Sequence, residues 1–134
     1  MFTGLVQTVC SVKSVTSGIG SKSALLTIDL GKLADEIKIG DSIAINGVCL
    51  TVAKLEGRLA GFDLSSETVE KTTLGKLKPS SPVNAELAVK ANDRFGGHFV
   101  QGHIDGVATI KKIERNGQFA NMKFAAGPEL LALF

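Results

Sequence analysis

At 134 residues and a net charge of +2, the chain is the size of one domain and can bury a core without disulfide or metal staples. The charge is too small for a nucleic-acid surface, and aromatic residues make up only 5%, all of them phenylalanine, which leaves little for base stacking. No apolar run approaches the roughly 18 residues of a membrane span, the N-terminus lacks a secretory pattern, and two distant cysteines with two histidines suggest neither a disulfide framework nor a zinc site.

A cytoplasmic chain without metal, membrane or nucleic-acid partners is therefore expected. Period-two alternation dominates it. Residues 5–15 alternate around Val6, Val12 and Val15, with Gln7, Thr8 and Ser11 between, and read as a strand. Residues 24–30, ALLTIDL, are a second strand of nearly continuous apolar character. The strongest hairpin signal is residues 41–57, DSIAINGVCLTVAKLEG, where Asn46-Gly47 suits the positive φ of a type I′ turn. Residues 58–65, RLAGFDLS, and 81–90, SPVNAELAVK, supply further strands, the latter opened by Pro82.

Helix is sparse. Residues 32–37, KLADEI, have room for one turn or two. Residues 66–75, SETVEKTTLG, are the better candidate, with Ser65 or Ser66 as N-cap, Glu67 complementing the positive end, and Gly75 expected to close the far end in a left-handed conformation. About six short strands at even spacing predict a closed all-β barrel, since closure removes the strand edges that recruit other chains. Cys10 reads as a buried thiol acting as a small hydrophobe, and the same default applies less firmly to Cys49.

A repeat runs across this pattern. Gly4, Val6, Val12 and Val15 fall on Gly102, Ile104, Ile110 and Ile113 at a constant offset of 98 (102−4, 104−6, 110−12, 113−15), and Lys13 falls on Lys111. A one-residue deletion then places residues 30–37, LGKLADEI, over 127–134, GPELLALF. The second copy opens near Phe99 after the glycine-rich connector 91–99, ANDRFGGHF, and has two expected strands, near 100–113 and 119–125, then the start of a helix at Pro128. Two strands do not make a barrel, and a lone hairpin is marginal in water.

Three polar clusters stand at strand ends, where a barrel mouth would gather them: NGVCLT at 46–51, FDLSSET at 62–68, and GGHFVQGHID at 96–105. Taken singly, the first is a hairpin turn, the second a helix cap, and the third contains histidines of the kind more often structural or solvated, as His98 is read.

Together with MFTG at the start, GDSIAINGVCLTV, FDLSSET and GGHFVQGHIDG closely resemble the riboflavin synthase family and its related lumazine proteins, in order and in spacing, over essentially the whole chain. The resemblance implies two homologous six-stranded Greek-key barrels followed by a C-terminal helix. Residues 1–97 would be a complete first barrel and 98–134 the beginning of a second. It implies dismutation of two molecules of 6,7-dimethyl-8-ribityllumazine by transfer of a four-carbon unit. The products are riboflavin and 5-amino-6-ribitylaminopyrimidinedione, and no metal or organic cofactor takes part.

Carried onto this chain, the resemblance places Gly4, Leu5 and Val6 against the heterocycle, with Leu5 where isoleucine is more usual. Cys49, Leu50 and Thr51 would offer backbone amides to ring carbonyls and a hydroxyl to the ribityl chain. Asp63, Leu64, Ser65, Ser66, Glu67 and Thr68 would finish the pocket, and Gly102, His103 and Ile104 would complete the ribityl and ring contacts. It implicates Phe2, Ser42, Cys49 and His103 in catalytic support, with His103 the proton carrier near neutral pH; Asp105 reads as structural.

The departure from the family is length. Second copies of NGVCLTV and FDLSSET are absent, as is the helix through which the family forms a homotrimer. The expectation is a ligand-binding chain of little activity that self-associates, for example as a homodimer. The rival in another class is a non-catalytic lumazine or flavin binder of the same fold, told apart by tight retention of a yellow ligand. An oligonucleotide-binding barrel is disfavoured by charge and aromatic content.

Overall fold

The computed structural model describes residues 1–17 and 23–133; Phe134, the last position of the repeat alignment, lies outside them. Six antiparallel strands close into a barrel: β1 (Thr8–Ser17), β2 (Ala24–Asp29), β3 (Ser42–Ile45), β4 (Val48–Glu56), β5 (Leu59–Leu64) and β6 (Pro82–Leu87). Their order around the wall is β1-β2-β5-β4-β3-β6, the non-sequential path of a Greek key, with β6 paired to β1 to complete closure. Chain Met1–Ile104 forms one compact unit and Asp105–Phe134 another. The division falls seven residues beyond the expected 97/98 boundary (104−97), because residues 98–102 are hydrogen-bonded to the first unit.

Alternation explains the barrel's filling. On β2 buried and half-buried residues alternate strictly, so Ala24, Leu26 and Ile28 face inward. β4 repeats this with Val48, Leu50 and Val52 inside, while Cys49 is half-buried and Thr51 exposed on the outer wall. Phe62, fully buried on β5, sits opposite Leu26 on one side and Val52 on the other. The interior is thus packed with side chains and offers no lumen to a ligand.

The β3–β4 turn has the expected form, with Asn46 at φ 49° and Gly47 at φ 82°. Asn46 Oδ1 also accepts the Asn84 amide at 2.8 Å, tying the turn to β6. Replacing Asn46 with alanine removes that bond and the short polar side chain that makes left-handed backbone tolerable for asparagine. A loss of about 1–2 kcal/mol in urea denaturation is expected, and a smaller one for Asn46→Gly.

Three expectations shift. β1 begins at Thr8 rather than residue 5, although Gln7 continues the contact with β6 by donating its amide to Ala85 O. The helix α1 (Ser66–Lys71) ends before Gly75: Thr72 turns extended at its C-cap, and its hydroxyl donates to Thr68 O at 2.6 Å. Gly75 is not left-handed and lies in a 3-10 turn (Leu74–Lys76), where a Cβ would stand 2.7 Å from Val69 Cγ1. Glycine is needed there for packing, not for its dihedral freedom. The KLADEI stretch forms a 3-10 helix over Gly31–Glu36.

In the second unit, β7 (Thr109–Asn116) and β8 (Phe119–Ala125) form a hairpin, followed by the short helix α2 (Pro128–Leu131). Ladder partners place Ile110, Ile113, Met122 and Phe124 on one exposed face and Lys112 and Lys123 on the other. The ladder is interrupted between Ile110 and Lys112, as β1 is interrupted between Val12 and Ser14. Both positions obey the same 98-residue offset (110−12, 112−14), so the repeat extends to a backbone irregularity. Among the described residues no helix is long and apolar enough to cross a membrane.

Candidate ligand-binding site

The site takes shape where residues after β6 return to the β3–β4 hairpin. Gly102 O accepts the Cys49 amide at 2.8 Å. Gly102 is buried at φ 79°, and a Cβ there would stand 2.8 Å from Cys49 N, 2.9 Å from Cys49 Cβ and 3.1 Å from Gly47 O. Only glycine allows this approach, and it delivers His103 and Ile104 to the outer wall beside β4. Ile104 packs on the core, and His103 stays exposed.

The facing wall is α1. Ser65 caps it by accepting the Thr68 amide at 3.1 Å. Glu67 and Lys71, one turn apart, pair at 2.8 Å, and this partner holds the Glu67 carboxyl below its ordinary titration range. Any stabilisation from the pair is present above the unfolded carboxyl's range and lost as pH falls through the depressed one.

Between the two walls lies a groove of about 220 Å³ lined by Val48, Cys49, Glu67, Thr68, Lys71, Thr72, Gly102, His103 and Ile104. Its floor is apolar, and its edges carry hydroxyls, an imidazole and an ion pair. That combination suits a flat ring bearing a polyhydroxy chain. The volume is below the roughly 300–1,000 Å³ of enclosed ligand pockets, so a ring of that kind lies partly uncovered.

Of the residues singled out from the sequence, Cys49, Glu67, Thr68, Gly102, His103 and Ile104 meet in this groove. Phe2, Gly4 and Val6 meet instead in a hollow of about 90 Å³ that includes Gly47, Glu86 and Val100. The Phe2 ring is fully buried. Leu5 is 59% exposed and borders a third groove, and Ser42 borders a fourth with Ile37, Lys38 and Leu87. Leu50 and Leu64 point into the core and have only backbone to offer outside. Thr51, Asp63, Ser65 and Ser66 are exposed and do not line the groove.

The Cys49 amide, expected to face ligand oxygens, is already engaged by Gly102 O, and the Thr68 amide is taken by Ser65 Oγ. Because Cys49 faces outward from β4, the groove lies on the barrel's flank.

Sequence reasoning missed Lys71, Thr72 and Glu86. Lys71 was signalled by its place four residues after Glu67 on one helix face. Glu86 was signalled only by being the one carboxylate in a strand where it falls between Ala85 and Leu87.

Both cysteines are free, Cys10 buried and Cys49 half-buried. Burial, and next the charge of Asp29, push the Cys10 thiol up. A thiol reagent at pH 8 is expected to label Cys49 first and Cys10 only on unfolding, with peptide mapping reading the order. Equal rates would contradict the burial.

A packed barrel whose flank carries a half-open groove has room for a small molecule against its wall rather than inside. Residues 3–88 match the family described as "Lumazine binding domain", and the chain belongs to that family. It is 41% identical over 131 residues to riboflavin synthase of Bacillus amyloliquefaciens, covering 97% of this chain and 60% of that protein. It is 40% identical over 131 residues to the Actinobacillus pleuropneumoniae riboflavin synthase, covering 98% of this chain and 60% of that protein. The chain thus spans about three fifths of the length of these curated relatives. Among solved structures it is similar in fold to LumP complexed with riboflavin, at a TM-score of 0.81 and 24% identity, covering 98% of this chain and 71% of that one.

Proposed function

We infer that the flank groove binds 6,7-dimethyl-8-ribityllumazine and riboflavin, and that the chain serves the riboflavin synthase reaction. The observation that carries this reading is the Gly102–Cys49 contact, because it brings NGVCLTV, the FDLSSET helix and GGHFVQGH, remote in sequence, to one groove. Supporting it are the curated relatives, which are riboflavin synthases, and LumP, solved with riboflavin, with 6,7-dimethyl-8-(1'-D-ribityl) lumazine and with flavin mononucleotide.

The reaction joins two identical lumazines. One loses a proton from its C7 methyl, and the resulting carbanion, spread over the ring, attacks the other. A four-carbon unit passes across, giving riboflavin and 5-amino-6-ribitylaminopyrimidinedione. His103 is the exposed imidazole at the groove and serves as proton carrier, with the Cys49 thiol beside it. Thr68 and Thr72 meet the ribityl hydroxyls, and Ile104 meets the ring. Phe2 shapes the neighbouring hollow from within the core.

Each groove takes one lumazine, so the second must be presented by another barrel. Bringing two rings face to face is largely a positioning effect and can supply much of the acceleration. Apposition of this groove to another barrel, in a trimer like that implied by the family resemblance or in a dimer, brings the two rings together.

The test is titration of the purified chain with riboflavin, following quenching of flavin fluorescence, together with a lumazine turnover assay. Saturable quenching with slow turnover is expected. No saturation by either compound would overturn the binding reading. Turnover at or above about 1 s⁻¹ would overturn the expectation of weak activity. A sample that stays yellow through dialysis and turns over no lumazine would favour the non-catalytic binder.

A further inference from the structure

Glu86 lies on β6, is 7% exposed, and is the sole charged residue among the buried ones described. Ionised carboxylates are costly to bury unless donors surround them. Here one oxygen, Oε1, takes three donors: Thr3 N at 2.6 Å, Thr3 Oγ1 at 2.7 Å and Gly4 N at 3.2 Å. Thr3 Oγ1 in turn accepts the Leu5 amide at 3.1 Å. The strand pairs with β1 and β3 through its backbone, whereas these side-chain bonds all reach the N-terminal arm. The carboxylate therefore holds the arm and not the barrel.

The arm's other edge holds the segment that walls the groove. Thr3 O accepts the His98 amide at 2.9 Å, and Phe2 and Val100 exchange bonds of 2.8 and 3.1 Å. Two residues later Gly102 seats against Cys49, and His103 follows. A continuous chain of bonds thus runs from Glu86 through Thr3 to His98 and Val100, and on to the groove.

We propose that Glu86 is a positioning residue for the ligand groove, acting through Thr3 and the MFTG arm to set the segment that carries Gly102 and His103. The proposal rests on the groove being the riboflavin and lumazine site. A glutamine at this position keeps the shape and one acceptor oxygen but loses the charge that strengthens three bonds to it.

The experiment compares wild type, Glu86→Gln, Thr3→Val and the double variant in the full chain. It reads riboflavin affinity by fluorescence quenching, thermal unfolding by circular dichroism, and hydrogen exchange at the His98 and Val100 amides by NMR. Each single variant is expected to bind riboflavin about tenfold more weakly, with faster exchange at both amides and the barrel's unfolding transition retained. The double variant is expected to be no worse than either single one, because both break the same link.

A lowered unfolding temperature with unchanged affinity in the folded protein would make Glu86 merely structural and overturn the proposal. So would additive losses in the double variant. Should Glu86→Gln fail to fold, Thr3→Val with unchanged affinity and exchange overturns it equally. If wild type binds neither compound, the groove reading fails. The exchange rates then decide the positioning link separately: faster exchange supports it, and wild-type exchange overturns it.

Discussion

Gly102→Ala is expected to weaken riboflavin binding by about 100-fold while leaving the barrel folded. Two effects combine. The left-handed backbone at φ 79° disfavours any L side chain by about 1–2 kcal/mol. The added Cβ would also sit 2.8 Å from Cys49 N and 2.9 Å from Cys49 Cβ, so the segment must lift and the Cys49–Gly102 bond must break. Together these come to about 3 kcal/mol, and each 1.4 kcal/mol is tenfold in affinity. Gly96→Ala is the control, because a Cβ there meets nothing within 4 Å. Fluorescence titration of both variants reads the contrast, and equal affinities would remove the Gly102 contact from any account of the site.

Phe62→Ala attacks the barrel itself. The ring is fully buried between Leu26 and Val52 on neighbouring strands, and strands paired on both sides have little freedom to collapse into the space left behind. A loss of about 3–5 kcal/mol is expected, a large share of the roughly 5–15 kcal/mol that holds a domain folded. Urea denaturation should show the midpoint falling sharply. Phe119→Ala, at a residue 81% exposed in the other unit, should leave the first unit's midpoint within about 0.5 kcal/mol. A small effect at Phe62 would mean the interior is looser than its burial implies.

What could be read in advance follows a physical line. The short apolar runs at 24–30 and 58–65, bounded by turn residues, announce strands, because segments so brief rarely sustain a helix. Asn46-Gly47 announces a turn, because few other pairs accept its dihedrals. Even the repeat was legible, from Gly4 and Gly102 onward. The location of the site was not.

Nothing in NGVCLTV says that Gly102 will seat against Cys49; that depends on where a distant loop lands. Glu86 was equally hidden, since its partners Thr3 and Gly4 are 83 and 82 residues away. The helix was placed but overextended, because Gly75 looks like a stop signal in sequence and proves to be a packing requirement against Val69. Motif resemblance supplied the set of site residues. Geometry then divided that set among the flank groove, the hollow beneath the N-terminal arm, two further grooves and open surface.

The matching irregularities at Val12/Ser14 and Ile110/Lys112 carry a practical consequence for protein engineering. A ribbon that changes phase at the same step as its counterpart can be transplanted without swapping its oily side for its wet one. A chimera with the β7–β8 ribbon spliced in place of the matching part of β1–β2 should keep its oily face inward, with Ile110, Ile113, Met122 and Phe124 replacing Val12, Val15, Leu26 and Ile28, so any penalty there would come from size and not from misalignment.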